Sequence, residues 1–436
     1  MARLERSRML QARAHAVIPG GCHTYAKGDD QYPELAPGFL ARGSGCRVWD
    51  VDGNEYIEYG MGLRAVTLGH AYPPVVEAAY RQMLLGNNFV RPASLEVECA
   101  EALRDMIPGA EMVKFAKNGS DATSAAVKLS RAYTGRAVVA VCAEHPFFSV
   151  DDWFIGTTPM AAGIPKAVRD LTVKFHYNDL GSVEALFRQY PGQIACLILE
   201  AEKDVPPAGD FLHRVHALCR GHGALFVLDE MITGFRWHNG GAQAYYGLEP
   251  DLSAFGKGLG NGFSVSALVG KRDIMRLGGP DHDRERVFLL SLTHGAENPC
   301  LAAALEVMRI YRREPVVETL WRQGARLAAG MGKAIAEHGL EAQVRLLGRP
   351  CALAFATRDG EGQPSQPLRT LFLQELARRG ILAPSLVVSY SHTDADIDRT
   401  IEAIHDALRV YRLALEEGVE KYLVGRPSRP VFRRFN

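Results

Sequence analysis

The sequence predicts an α/β protein whose main body is a mostly parallel sheet with helices on both faces, followed by a small α+β part. Between residues 61 and 310, short apolar runs at 138–142, 195–199, 224–228 and 267–270 are separated by amphipathic stretches such as 97–107 and 121–133. Apolar runs of that length suit strands buried on both faces, and the stretches between them suit helices that cover the sheet. Beyond Leu301 the pattern changes to a long helical stretch, a strand-like segment at 352–356, a helix near 368–379 and a last helix near 394–417. At 436 residues the chain also exceeds one typical domain of ~100–200 residues, so a large body with a smaller companion is expected.

Taken in order, the chain opens on a basic helix, and residues 19–45 are rich in Gly, Pro and Asp, as irregular chain wrapped over a surface would be. Residues 46–59, CRVWDVDGNEYIEY, alternate apolar and polar side chains about Asp52-Gly53, the pattern of a β-hairpin. The expected organisation is an N-terminal segment and hairpin at 1–60, a large domain at 61–310 and a small C-terminal domain at 311–436. The sequence shows no internal repeat or low-complexity run.

Composition excludes several classes. Lysine plus arginine (50) balances aspartate plus glutamate (50), and 47% of residues are hydrophobic, so neither a nucleic-acid footprint nor a disordered chain is indicated. No window approaches the ~18 apolar residues of a membrane span. The eight cysteines stand singly with no CxxC pair, which fits reduced thiols and a cytoplasmic enzyme acting on small molecules.

Three segments carry chemistry. In GALFVLDEMITGFR an apolar strand runs directly into Asp229-Glu230, and in open parallel sheets ligands bind beyond the carboxyl ends of strands. An acid there can instead cap the next turn. In SAFGKGLGNGF, Lys257 stands among Gly256, Gly258, Gly260 and Gly262, where a planar ligand can approach an amine that partial desolvation makes nucleophilic. A flexible loop with an incidental lysine is the bland alternative, and the order of a P-loop is absent. In KNGSDATSAAVKLSRAYTGR, Asn118-Gly119-Ser120-Asp121 precede an amphipathic helix whose amino end and Ser120 hydroxyl can hold a phosphate, although Ser and Asp are also ordinary helix caps. A fourth cluster, HRVHALCRGH, places His213, His216, Cys219 and His222 three apart, but on a helix each step drifts about 60°, so they cannot converge on one metal ion. No metal is expected.

Each segment matches a different part of pyridoxal 5'-phosphate (PLP): phosphate at Gly119-Ser120, pyridine nitrogen at Asp229, aldehyde carbon at Lys257. With VWDVDGNEYIEY, LGHAYPPVVEA, NGSDAT, YTGR, LDEMITGFR and FGKGLGNG in family order, the chain resembles the class III aminotransferases of PLP fold type I. Within them it is most similar to the branch of glutamate-1-semialdehyde 2,1-aminomutase and its transaminase relatives. The resemblance implies a large domain with a seven-stranded, mostly parallel sheet, a small α+β C-terminal domain, and a homodimer with shared sites. It implies that Lys257 forms the Schiff base and then moves the proton, that Asp229 pairs with the pyridine nitrogen, and that Gly119 and Ser120 hold the phosphate, with Ser in place of the family Thr. Phe147 matches the aromatic residue that stacks on the ring, with Phe147-Phe148-Ser149 replacing the family's YHG. Thr293 matches the threonine that reaches the neighbouring subunit's phosphate. Glu200 matches the glutamate of a strand-ending EP pair, with Ala201 in place of proline.

Substrate recognition departs from the aminomutase pattern. The family arginine of NSPVR becomes Lys27, and SWG becomes Gly62-Leu63-Arg64, so Arg64 is a candidate relocated anion clamp, a surface pair being the alternative. The gating segment is short, WFIGTTPMAA standing between Asp152 and Gly163. A diamino intermediate must be retained by an aminomutase, and a shortened lid therefore favours transamination between an amino donor and a carbonyl acceptor. Intramolecular amino transfer is the alternative. A purely regulatory or structural PLP-binding protein would have no need of all three matched segments.

Overall fold

Seven strands of four to seven residues, most of them buried along their length, form one sheet. A computed structural model describes residues 4–295 and 297–435, in which the chain divides into two units. The unit built on Pro73–Val317 contains the sheet: β1 (Met112–Ala116), β2 (Val138–Cys142), β3 (Thr172–Phe175), β4 (Ile194–Glu200), β5 (Leu225–Asp229), β6 (Leu252–Phe255) and β7 (Ser266–Gly270). The order across the sheet is β1-β7-β6-β5-β4-β2-β3. Neighbours from β6 to β3 pair in parallel, whereas β7 is antiparallel to both β6 and β1. The reversal has a simple cause. A parallel return needs a crossover of about a dozen residues or more, usually a helix, and only the tight Lys257–Gly262 stretch and four further residues separate β6 from β7.

The longer helices of this unit are α1 (Pro73–Leu85), α2 (Ser94–Met106), α3 (Gly119–Thr134), α4 (Leu180–Gln189), α5 (Phe211–Gly221) and α6 (Asn298–Arg313). Helix α3 lies against the centre of the sheet through its small residues Ala122, Ala125 and Ala126, all buried, and ends on Gly135 in the left-handed conformation. Its packing is thereby close, and its amino end points to the carboxyl ends of the central strands. Two histidines of this segment have structural work. His216 in α5 stacks on Phe226 (centroids 4.9 Å, 18°) and His222, the C-cap residue of α5, on Phe187 (4.4 Å, 7°), and burial pushes the Cys219 thiol well up.

The other unit joins the chain up to Tyr72 with Glu318–Arg433. The expected hairpin is there, Arg47–Asp50 pairing antiparallel with Glu55–Glu58, and Ile381–Leu382 adds to its edge in parallel. The expected last helix is Asp394–Glu417, and the helix near 368–379 is Gln366–Arg378. Among the described residues no helix is long and apolar enough to cross a membrane.

The close packing at the end of β7 gives a stability test. A Cβ on Gly270 would stand 2.6 Å from both the Asp251 carbonyl oxygen and Leu252 Cδ2. Gly270→Ala should therefore cost about 1–3 kcal/mol through forced backbone displacement, read as a lower urea midpoint at unchanged slope.

Candidate active site

Asp229 is the last residue of β5, and Glu200, the last of β4, is its partner in register. Both are buried. Two acids at adjacent strand ends oppose each other's ionisation, and the Asp229 carboxyl is pushed up to about 8, first by burial and then by Glu200, while Lys257 acts in the opposite direction. Its Oδ1 accepts a hydrogen bond from Met231 N at 2.9 Å. The neighbouring acid has a different task. Glu230 accepts from Thr233 Oγ1, from Ala242 N (2.9 Å) and from Gln243 N (2.7 Å), so it caps the following helical turn and leaves Asp229 facing the strand ends.

Lys257 follows β6 and opens a short 3-10 turn, Lys257–Gly260, with φ of 43°, in the left-handed region a side chain rarely occupies. Gly256 before it packs against Met231: a Cβ there would stand 2.6 Å from Met231 Sδ and would make that side chain shift. Gly119, the first residue of α3, faces the same sulfur, at 2.8 Å from a built Cβ. Met231 is thus wedged between the lysine turn and the amino end of α3, while its amide holds Asp229. Three segments far apart in the chain meet around one side chain.

The capping alternative for Ser120 and Asp121 resolves by residue. Asp121 caps α3, its Oδ2 accepting from Asn118 N (2.8 Å) and Lys117 N (3.2 Å). Ser120 Oγ instead accepts from Val150 N at 3.1 Å, which leaves its O–H to donate elsewhere. The aromatic segment around Phe147 is fastened to the same helix. Thr123 Oγ1 donates to the Phe148 carbonyl (2.6 Å), Ser124 Oγ meets Ser149 Oγ (2.9 Å) and Asp151 Oδ2 (2.5 Å), and Trp153 Nε1 donates to Ser124 Oγ (2.8 Å). Of the two adjacent rings, Phe148 is buried and Phe147 is 44% exposed, edge-on to Phe154, so Phe147 offers the open aromatic face.

Thr293 lies exposed in a turn at 293–295, and its carbonyl accepts from Asn88 Nδ2 at 2.9 Å. It does not cap the helix that follows, whose N-cap position is Glu297. Lys27 and Arg64 belong to the other unit. Lys27 is exposed at the end of the turn Tyr25–Lys27. Arg64 closes four consecutive residues in the left-handed region, Met61, Gly62, Leu63 and Arg64 (φ 43°, 60°, 59° and 69°). Glu58 steadies that run, accepting from Met61 N at 2.6 Å and meeting His70 Nε2 at 2.9 Å.

Residues 28–408 match the family described as aminotransferase class-III. The chain belongs to the class III aminotransferase family. It is 32% identical to a glutamate-1-semialdehyde 2,1-aminomutase of Persephonella marina over 93% of this chain and 99% of that one. Among solved structures, the FumI protein of Sphingopyxis sp. MTA144, in its PLP internal aldimine form, is 30% identical with a TM-score of 0.86, covering 94% of this chain and 98% of that one. An omega-transaminase from Sphaerobacter thermophilus is 27% identical with a TM-score of 0.84, covering 93% and 98%. The protein is thus an enzyme of the class III aminotransferase type, with PLP fold type I, and the cofactor of this class is PLP. The residues suit it: a buried acid with raised proton affinity wants a cation, Lys257 is the amine acting on it, and a helix amino end with a serine donor stands beside them.

Sequence reasoning did not single out His145 or Met231. His145 is buried, and its Nδ1 accepts from Glu200 N at 3.0 Å. The paired glycines Gly119 and Gly256 were the available sign of Met231.

Asp229 generates a pH prediction for the cofactor-free protein. Its folded-state value lies above the ordinary 3.8, so the folded protein holds this proton more tightly than the unfolded chain does. The contribution to stability is therefore complete below about 4 and is lost as pH rises towards about 8. Asp229→Asn should flatten the fall in apoprotein Tm across that window relative to wild type; equal slopes in the two proteins would contradict a raised Asp229.

Proposed function

We propose that this enzyme is a PLP-dependent aminotransferase that moves an amino group from an amino donor to a carbonyl acceptor. The meeting of Asp229, Lys257 and the amino end of α3 around Met231, in a class III chain, is the observation that carries the reading. Bound PLP supplies an electrophilic carbon and a ring that accepts the electron pair left when a proton departs from the substrate carbon. Lys257 is the residue that holds the cofactor covalently, and its Nζ then takes the proton from the substrate carbon and gives one back. Asp229 pairs with the pyridinium nitrogen, whose charge offsets the burial and the Glu200 repulsion that otherwise favour a neutral acid. Gly119 and Ser120 hold the phosphate through the helix amino end and the free O–H of Ser120. Phe147 covers one face of the ring. Glu200 strengthens the negative field around the nitrogen without touching substrate.

Transamination, rather than intramolecular transfer, is supported by the pinned segment after Phe147. Trp153 and Phe154 are buried, Thr172 Oγ1 donates to the Trp153 carbonyl (2.7 Å) and Lys174 Nζ to the Thr157 carbonyl (2.6 Å). Such a segment is packed as part of the fold and makes a poor sealing lid. The name of the aminomutase relative favours the second reading, in which one compound is isomerised with no second substrate. Arg64 is the candidate for substrate anions, because a strained left-handed run is kept only where surrounding contacts over-determine it. Lys27 is the second cationic candidate.

The working unit is proposed to be a cytoplasmic homodimer in which Thr293 serves the partner's phosphate. All eight cysteines are free thiols, in keeping with a reducing compartment. Helix α1 exposes Val76, Tyr80 and Leu84 at four-residue spacing, and the apolar surface continues through Phe89 and Val90 to the Asn88–Thr293 contact. A second copy covering that stripe would bring the Thr293 turn to the interface.

Three outcomes are expected. Borohydride reduction of the holoenzyme followed by peptide mapping should place the pyridoxyl group on Lys257, and Lys257→Ala should lose turnover entirely; a label on another lysine sinks the assignment. An amino donor alone should bleach the visible absorbance of the bound cofactor and release one carbonyl product per site, and an acceptor should restore it; conversion of a single compound with no net donor product would establish the aminomutase reading instead. Mixing Lys257→Ala with Thr293→Trp after subunit exchange should return activity from the one lesion-free site of each heterodimer, and none should return if Thr293 acts within its own subunit.

A further inference from the structure

The family's histidine in YHG is absent here, Phe148 standing in its place, yet a histidine three residues earlier reaches the end of β4. Strands β2 and β4 pair as far as Val141 and Ile198. Strand β2 ends at Cys142, and the next amide, Ala143 N, goes to Phe175 on β3. Glu200 N therefore lies beyond the last backbone partner on that side, and the His145 ring supplies the acceptor, Nδ1, at 3.0 Å. The ring is itself enclosed, 5.0 Å from Tyr177 and 6.2 Å from Phe148 between centroids. Burial holds its pKa down to about 3, so the imidazole stays neutral and Nδ1 stays an acceptor across the working pH range.

We infer that His145 is a positioning residue for the cofactor end of the site, acting through Glu200: by ending the β4 ladder with a side chain, it fixes the Glu200 backbone and so holds the Glu200 carboxyl in register with Asp229. This rests on the assignment of Asp229 to the pyridine nitrogen. The contact of His145 with this end of the site is to the Glu200 backbone amide. Its removal leaves a buried amide unpaired and lets Glu200 turn away from Asp229, which weakens the negative field at the nitrogen.

The test is a double-mutant cycle on cofactor affinity, measured by equilibrium dialysis of PLP into the apoenzyme, with circular dichroism to verify the fold. His145→Ala should weaken PLP binding about tenfold. His145→Asn, whose Oδ1 occupies the place of Nδ1, should recover affinity to within about twofold of wild type. In a Glu200→Gln background, His145→Ala should add little, because its effect passes through the group already altered. Independent, additive losses from His145→Ala and Glu200→Gln would overturn the inference, as would a folded His145→Asn no better than His145→Ala. Should His145→Ala fail to fold, His145→Gln serves in its place, since its longer chain puts the acceptor elsewhere. Wild-type apoenzyme that takes up no PLP would refute the cofactor assignment itself, an outcome separate from additivity in a protein that binds it.

Discussion

Asp229 closes a central strand with its carboxyl enclosed by protein, and Glu200 stands beside it on the next strand with the same sign of charge. Burying two acids side by side is costly unless a proton or a cation is shared between them. The surrounding structure supplies the conditions for that sharing. Lys257 acts on Asp229 from the turn after β6, and Glu230, which might have added a third charge, is spent on the helical turn beginning at Gly241. The result is a strand end that favours a proton or a cationic partner, with a lysine within electrostatic reach.

Geometry around that acid is maintained by tight contacts more than by charge. Met231 Sδ lies within 2.8 Å of a Cβ built on Gly119 and 2.6 Å of one built on Gly256, so the amino end of α3 and the lysine turn pack on the same side chain. The helix then carries the constraint outward, since Ser120, Thr123 and Ser124 each bond to the segment bearing Phe147. A helix packed through alanines on the sheet is a rigid base for this purpose, and it fixes the four short segments that meet there relative to one another.

Much of this was legible in the sequence because it obeys local rules. The strand-to-acid transition at Leu228-Asp229, the glycines about Lys257 and the helix start at Asn118–Asp121 each have a signature that survives without knowledge of neighbours. The antiparallel strand β7 was not distinguished, because Ser266–Gly270 is as apolar as its parallel neighbours and only the shortness of the preceding loop betrays its direction. The edge strands β1 and β3 carry exposed Lys114 and Lys174, which break the apolar pattern while protecting the sheet edges. The division of labour between Ser120 and Asp121, or between Asp229 and Glu230, was invisible for a different reason. Adjacent polar residues have equivalent local propensities, and their roles separate only when a distant amide, such as Val150 N or Gln243 N, arrives to choose one of them.

The departures from the family pattern gain a common sense from the same geometry. Replacing the His of YHG by Phe148 fills the space under the aromatic segment with a ring that packs against Phe154 (5.4 Å) and needs no hydrogen-bond partner. The polar function at the strand ends then rests on His145, three residues upstream, which reaches Glu200 through its backbone amide and not through the ligand. Ala201 in place of proline leaves the residue after Glu200 free of a fixed φ, and the Glu200 amide is held by its hydrogen bond to His145 Nδ1. On the inference made for His145, the segment thus loses a polar side chain at Phe148 and carries one three residues upstream that holds the backbone beside the buried acid.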